Sequence, residues 1–212
     1  MNPVFECREL YVTARKRLIY LERICPQPSL RPSVEDDQAV AFIAIELSNI
    51  WAGFSRSLFF SSCQGARTVA GSRVAMTVDL RDRLDAEFFA AQTAGNRKAA
   101  RGLIRPRDEP DWKQSSTLTR LLSGAGASNL TQVAAAVSIP GRVLQDLTTI
   151  RNFYGHRSEG TAQKARNKAR FYGAAPDLHP TQLCLTIAPG RPQPVLSDWI
   201  SETLRITDYA TR

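Results

Sequence analysis

The sequence is short of the residues that build metal sites, disulfide frameworks and membrane spans. It holds only two histidines and four cysteines among 212 residues. Cys7, Cys25, Cys63 and Cys184 are widely scattered, with no Cys-x-x-Cys pair and no histidine beside them, which excludes a zinc site of the usual ligand spacing. They read as reduced, buried or half-buried thiols of a cytoplasmic protein. No metal and no cofactor follows from the sequence. No stretch approaches the roughly 18 uninterrupted apolar residues of a membrane span, so none is expected. Charges at Glu6, Arg8 and Glu22 interrupt the N-terminal region, which lacks a secretory apolar core. Repeats, low-complexity tracts and convincing strands are also missing. Acidic residues are the minority: 20 Asp and Glu stand against 28 Lys and Arg, a formal charge of +8. Most of the basic residues are Arg, whose planar fork matches phosphate oxygens in two-point contacts, so a polyanionic partner is expected. A solvated basic surface is the plainer alternative.

What is present is helical periodicity. Residues 3–24 read as a first helix with Phe5, Leu10, Val12, Leu18, Ile19 and Leu21 as apolar positions. Three prolines within 26–32 preclude helix there. A long second helix follows to about residue 63, capped by Ser33 or Asp36, on the run Val40, Ile43, Ala44, Leu47, Ile50, Trp51, Phe54, Leu58 and Phe59. Glu46 and Asn49 interrupt it one turn apart, so both point along one face. A shorter helix is expected over 79–93. Residues 95–115 read as a surface excursion with a basic flank of Arg97, Lys98, Arg101, Arg105 and Arg107. A helical hairpin at 116–124 and 129–138 turns on Gly124-Ala125-Gly126, with Ser128 as the cap of its second arm. Another helix spans 140–156, with Pro140 in its first turn. Ser158 caps a helix at 159–172. Residues 173–195 read as irregular apart from a short turn at 180–186, before a last helix capped by Ser197 or Asp198 and striped by Trp199, Ile200 and Leu204. The expected class is all-α, in one domain spanning 1–212, long enough to bury a substantial core.

The helix at 140–156 carries the chemistry. Its run Val143, Leu144, Leu147, Ile150 and Tyr154 ends in Arg151-Asn152-Phe153-Tyr154-Gly155-His156-Arg157. Arg151 and His156 are five residues apart, about 140° around a regular helix, so they flank a shared site rather than stack. A fixed guanidinium beside a titratable imidazole is suited to holding a phosphodiester and moving protons on it. Gly155 permits close approach of another backbone. Basic residues then crowd the chain: Arg151, Arg157, Lys164, Arg166, Lys168 and Arg170 against the single acid Glu159 between 151 and 172.

The pattern of Arg151, the filler Asn-Phe-Tyr-Gly and His156 resembles the HEPN superfamily of helical domains, whose nuclease members carry an Arg, four to six mostly apolar residues and then His. The string LTTIRNFYGHRSEGTAQKA from Leu147 through Ala165 is similar to the active segment of the microcystis-type branch of prokaryotic toxin and defence systems. The later string HPTQLCLTIAPGRPQPVLSDWI also resembles that branch. The resemblance implies a HEPN-like bundle with a long N-terminal helix pair, dimerising through the motif helix. It also implies a metal-independent endoribonuclease of a toxin–antitoxin or antiviral defence system. His156 would act as general base or acid, since an imidazole titrates near pH 6.5. Arg151 would neutralise charge building on the phosphoryl oxygens, and Asn152 would position the phosphate or the 2′-OH. Attack by the 2′-OH would leave a 2′,3′-cyclic phosphate and a 5′-OH end, and DNA would resist. Arg157, Lys164, Arg166, Lys168 and Arg170 would line the groove for the RNA backbone. Glu46 and Asn49 resemble polar positions that some HEPN domains place near the cleft.

Each assignment has a plainer counterpart. A histidine at a helix C-terminus is favoured by the macrodipole without any chemistry. Glu46 would serve equally to satisfy a buried arginine such as Arg56 or Arg151, and His179, followed by Pro180, reads as structural or surface. A basic run is often a solvated helix face. As a whole, the chain would alternatively be a non-catalytic HEPN module binding RNA or a protein partner, such as an antitoxin or a larger defence complex. Retention of both Arg151 and His156 argues against that. Modification of Tyr154 by a partner is set aside, because Ser158 stands two residues after His156, where the modified branch carries Tyr. A helix-turn-helix at 116–138 ranks last, since its second helix offers no Arg or Lys to bases.

Overall fold

A computed structural model describes residues 6–29, 31–96, 100–138 and 142–212. Among them the chain forms nine α-helices and two 3-10 turns, and its only β pairing is two isolated bridges, Arg67 with Arg73 and Ile187 with Pro194. The all-α class expected from the periodicity is what forms. The helices are α1 (Cys7–Arg23), α2 (Val34–Cys63), α3 (Arg83–Thr93), α4 (Ser115–Gly124), α5 (Leu130–Ser138), α6 (Val143–His156), α7 (Glu159–Arg166), α8 (Pro180–Leu185) and α9 (Val195–Thr211). No helix among the described residues is long and apolar enough to cross a membrane. Phe5, Arg97, Lys98 and Pro140 lie outside the described residues.

Local chemistry explains where several helices start. Ser33 and Asp36 bond reciprocally at the head of α2: Ser33 N donates to Asp36 Oδ2 at 2.8 Å and Asp36 N to Ser33 Oγ at 3.1 Å. Both expected capping residues therefore act together, in the box arrangement that satisfies two orphan donors. Ser158 caps α7 as expected, accepting from Thr161 N at 3.2 Å. Elsewhere distant partners intervene. Ser128 does not cap α5; its hydroxyl accepts from Ala75 N at 3.0 Å and its N–H donates to Ala75 O at 2.9 Å. Ser197 and Asp198 lie inside α9, which begins at Val195, whose N–H is held by Thr186 O at 2.9 Å. The α3 start moves to Arg83 because Asp82 is the residue that accepts from Leu84 N, at 2.7 Å. The single helix expected over 159–172 divides into α7 and a 3-10 turn at Ala169–Tyr172.

The chain divides into two compact units. One comprises Met1–Ala14, Trp51–Gly141 and Arg205–Arg212. Its core holds an aromatic cluster in which Phe59 and Phe60 both pack on Trp112, with ring centroids 5.8 Å apart in each case. Arg56 grips Glu109 with two hydrogen bonds of 2.7 and 2.9 Å, and Trp112 Nε1 donates to the same carboxylate at 2.9 Å. Burial works against that charge, but the bonds from Arg56 and Trp112 outweigh it and hold the Glu109 carboxyl below the usual range. At the turn between α4 and α5, Gly126 takes a φ of 62° and a Cβ there would overlap the Thr77 side chain, so this position requires glycine. Within the 95–115 excursion, Arg101 pairs with Asp85 and Arg105 N donates to Asp108 at 3.0 Å.

The other unit comprises Arg15–Ile50 and Arg142–Leu204 and contains every residue assigned to the candidate site. Leu18, Leu21, Val40, Ile43, Leu47, Ile150, Leu183 and Trp199 are buried in it. Asp146, fully buried on α6, is held by Lys168 Nζ at 2.7 Å and by the Tyr172 hydroxyl at 2.9 Å, while Trp199 Nε1 donates to that hydroxyl at 2.9 Å. This chain of polar contacts ties α6 to the 3-10 turn and to α9.

Candidate active site on the sixth helix

The buried face of α6 is Val143, Leu144, Asp146, Leu147, Ile150, Phe153 and Tyr154, close to the apolar run read from the sequence. That packing turns Arg151 and Asn152 to the half-buried edge and leaves Gly155 and His156 exposed. Arg151 Nη1 donates to Asn152 Oδ1 at 3.2 Å. Its Nε is buried and has no hydrogen-bond partner, and among the described residues no carboxylate pairs with this guanidinium. The His156 ring likewise makes no hydrogen bond among the described residues. Beyond its own helix backbone, a Cβ at Gly155 would meet only Arg151 Nη1, at 4.0 Å, so the guanidinium lies over the open side of the helix.

Helix α6 ends at Arg157, which has a φ of 43° and is the only non-glycine residue with positive φ among the described residues. Its N–H closes on Phe153 O at 2.6 Å, and its guanidinium reaches Asp37 Oδ2 at 2.9 Å. The other basic residues divide. Lys168 is the partner of buried Asp146, and Arg166 pairs with Glu159 and donates to Gln163 Oε1 at 3.2 Å. Lys164 and Arg170 are exposed, the latter with its Cζ 4.6 Å from the centre of the Phe171 ring. Glu46 pairs with Arg17, and Arg56 with Glu109; the expected pairing of Glu46 with Arg56 or Arg151 does not occur, because nearer cations and acids take both places. Asn49 is exposed.

The chain matches no protein-family model, no curated protein and no solved structure.

One group carries more structure than the sequence reading gave it. His179 caps α8, accepting from Thr181 N at 3.3 Å through Nδ1, and its ring packs edge-on against Phe153 of α6 with centroids 5.5 Å apart. Thr181, buried, donates its hydroxyl to Asp37 Oδ1 and therefore accepts from Tyr154 OH at 2.8 Å. Burial pushes the Tyr154 phenol well above its usual range, so it remains a donor. Burial also opposes the Asp37 charge, but bonds from Thr181 and Arg157 outweigh it and keep the carboxyl below its ordinary range. Asp37, Arg157, His179 and Thr181 thus meet at one open groove of about 580 Å³. The local signal for this was the His-Pro pair heading a short helix; its partners lie far away in sequence. No group of three or more His, Cys, Asp or Glu that could hold a metal occurs among the described residues.

Proposed function

We propose that the protein is a HEPN-type endoribonuclease of a prokaryotic toxin–antitoxin or antiviral defence system, acting as a homodimer through α6. The observation that carries this reading is Arg151: a half-buried cation with a buried, unpaired Nε, on the same helix end as an exposed histidine. Buried polar groups are almost always satisfied, and no carboxylate among the described residues neutralises this guanidinium, whose remaining donors suit an anion. RNA supplies that anion and the nucleophile together. His156 takes the proton of the 2′-OH or returns one to the leaving 5′-oxygen, and Arg151 with Asn152 holds the phosphoryl oxygens.

The test is a cleavage time course on RNA in excess EDTA. Fragments with 2′,3′-cyclic phosphate and 5′-OH ends are expected, and a 2′-deoxy substitution at the cut nucleotide is expected to abolish cleavage there. Cleavage that survives the 2′-deoxy substitution, or that stops with EDTA, removes the proposed chemistry.

One histidine serves poorly as both base and acid in one turnover, and a second copy of α6 would supply the other. Gly155 is where two such helices would approach. Within one chain a Cβ fits at this position, so Gly155→Ala should keep the fold and gain up to about 1 kcal/mol of helix propensity. Across the dimer the same side chain obstructs. Light scattering coupled to size exclusion should show the variant shifted toward monomer, with cleavage falling in step. A variant that stays dimeric and active places the dimer interface elsewhere.

A further inference from the structure

We propose that the groove beside the α6 C-terminus receives an unpaired nucleobase flanking the scissile phosphate, and that Asp37 makes guanine the preferred base. The inference rests on RNA being the ligand of α6. The groove is lined by Pro32 and Val34, the latter 70% exposed, and otherwise by polar groups, among them Arg31, Asp37, Arg157, His179 and Thr181. Its volume of about 580 Å³ is ample for one base. A phosphate is disfavoured beside Asp37 itself, whose carboxylate already pairs with Arg157, although Arg31 also lines the groove. A base bearing donors is favoured for the same reason.

The carboxylate geometry narrows the choice. Oδ1 of Asp37 accepts from Thr181 and Oδ2 from Arg157. A carboxylate offers about four acceptor positions, so one remains on each oxygen. Guanine presents two adjacent donors, N1–H and the N2 amino group, which fit a carboxylate side by side. Adenine and cytosine each set a ring acceptor beside their amino group, and uracil flanks its one N–H with two carbonyls, so each would bring a lone pair against a carboxylate oxygen. Thr181 and Arg157 hold the carboxylate from two sides, so it is oriented before the base arrives. The exposed Arg157 guanidinium offers a plane on which a base can stack. Arg157 follows His156 directly in the chain, so the groove and the histidine share the C-terminal end of α6.

The probes are fluorescein-labelled 2′-fluoro hexanucleotides, which lack the nucleophile: a uridine tract with one central guanine, and two controls with adenine or uridine in its place. Anisotropy should give the guanine oligomer about tenfold or more tighter binding to the wild-type protein, the usual reach of a two-point base contact. In Asp37→Asn the ratio of guanine to adenine affinity should fall to within about twofold. The ratio within each protein is the readout, since removing a negative charge strengthens binding of any polyanion. Equal affinities in the wild type, no binding by any oligomer, or a guanine preference that survives Asp37→Asn overturns the inference. Because these probes cannot be cleaved, a guanine preference without RNA cleavage would instead retire the nuclease reading and leave the pocket standing.

Discussion

Replacing His156 with alanine is expected to slow RNA cleavage by about two to four orders of magnitude, the usual contribution of a positioned proton-transfer group. Its ring is exposed and free of protein partners among the described residues, so its removal should leave the melting temperature nearly unchanged. On the proposed chemistry Arg151→Ala should cost about two to three orders of magnitude for a different reason: it would remove preorganised charge from the transition state. Arg151→Lys should rescue little, since an ammonium cannot reproduce the two-point grip of a guanidinium. If the two residues act as a unit, the double variant should be hardly worse than either single one. Initial rates on one RNA substrate, with proteins matched for oligomeric state, measure all four. Full activity in His156→Ala would withdraw the histidine from the chemistry whatever the other variants do.

The second large effect concerns stability. Lys168→Ala should destabilise the protein by about 3–5 kcal/mol, because it leaves the Asp146 carboxylate buried with only the Tyr172 hydroxyl as partner. That is a large share of the roughly 5–15 kcal/mol that holds a domain folded. Lys164→Ala, four residues away on an exposed position, should stay within about 0.5 kcal/mol. Replacing both members of the pair, Asp146→Leu with Lys168→Met, should recover much of the loss, as apolar substitutes for buried ion pairs often do. Urea unfolding of the four proteins decides it. A Lys168→Ala protein as stable as the wild type would mean that the ion pair does not form, and would return this lysine to the surface as a candidate RNA contact.

These two residues also show what was legible in the sequence. Asp146 belongs to a stretch whose helical state follows from local chemistry, whereas Lys168 stands in the turn where the helix expected over 159–172 divides. The run Val40 to Phe59 and the run Val143 to Tyr154 repeat at intervals of three and four, and α2 and α6 form there. Ser33 and Ser158 cap because the residue three positions on completes the box with each. Pairing between distant segments was not legible. Nothing near Lys168 announces a buried aspartate on α6, and nothing near Glu46 selects Arg17 over Arg56. Ser128 has a good capping residue's chemistry, yet Ala75 claims it. His179 read as structural because a histidine before proline has many uses, and Phe153, Thr181 and Asp37 gather around it only once the helices pack. Local periodicity specifies which residues are helical; the choice among many possible arginine and carboxylate partners depends on packing that no short window contains.

The bonds that join Asp37 to Arg157 and to Thr181 span 120 and 144 positions of the chain. A ribosome makes the aspartate before its two partners, so a chain interrupted at any point between Asp37 and Thr181 lacks the complete groove. If the motif helix cuts RNA as proposed, that order has a use during synthesis. The first turn of α2 would then leave the ribosome ahead of the motif helix, and the messenger being read would be spared until that helix and its neighbour α8 had followed.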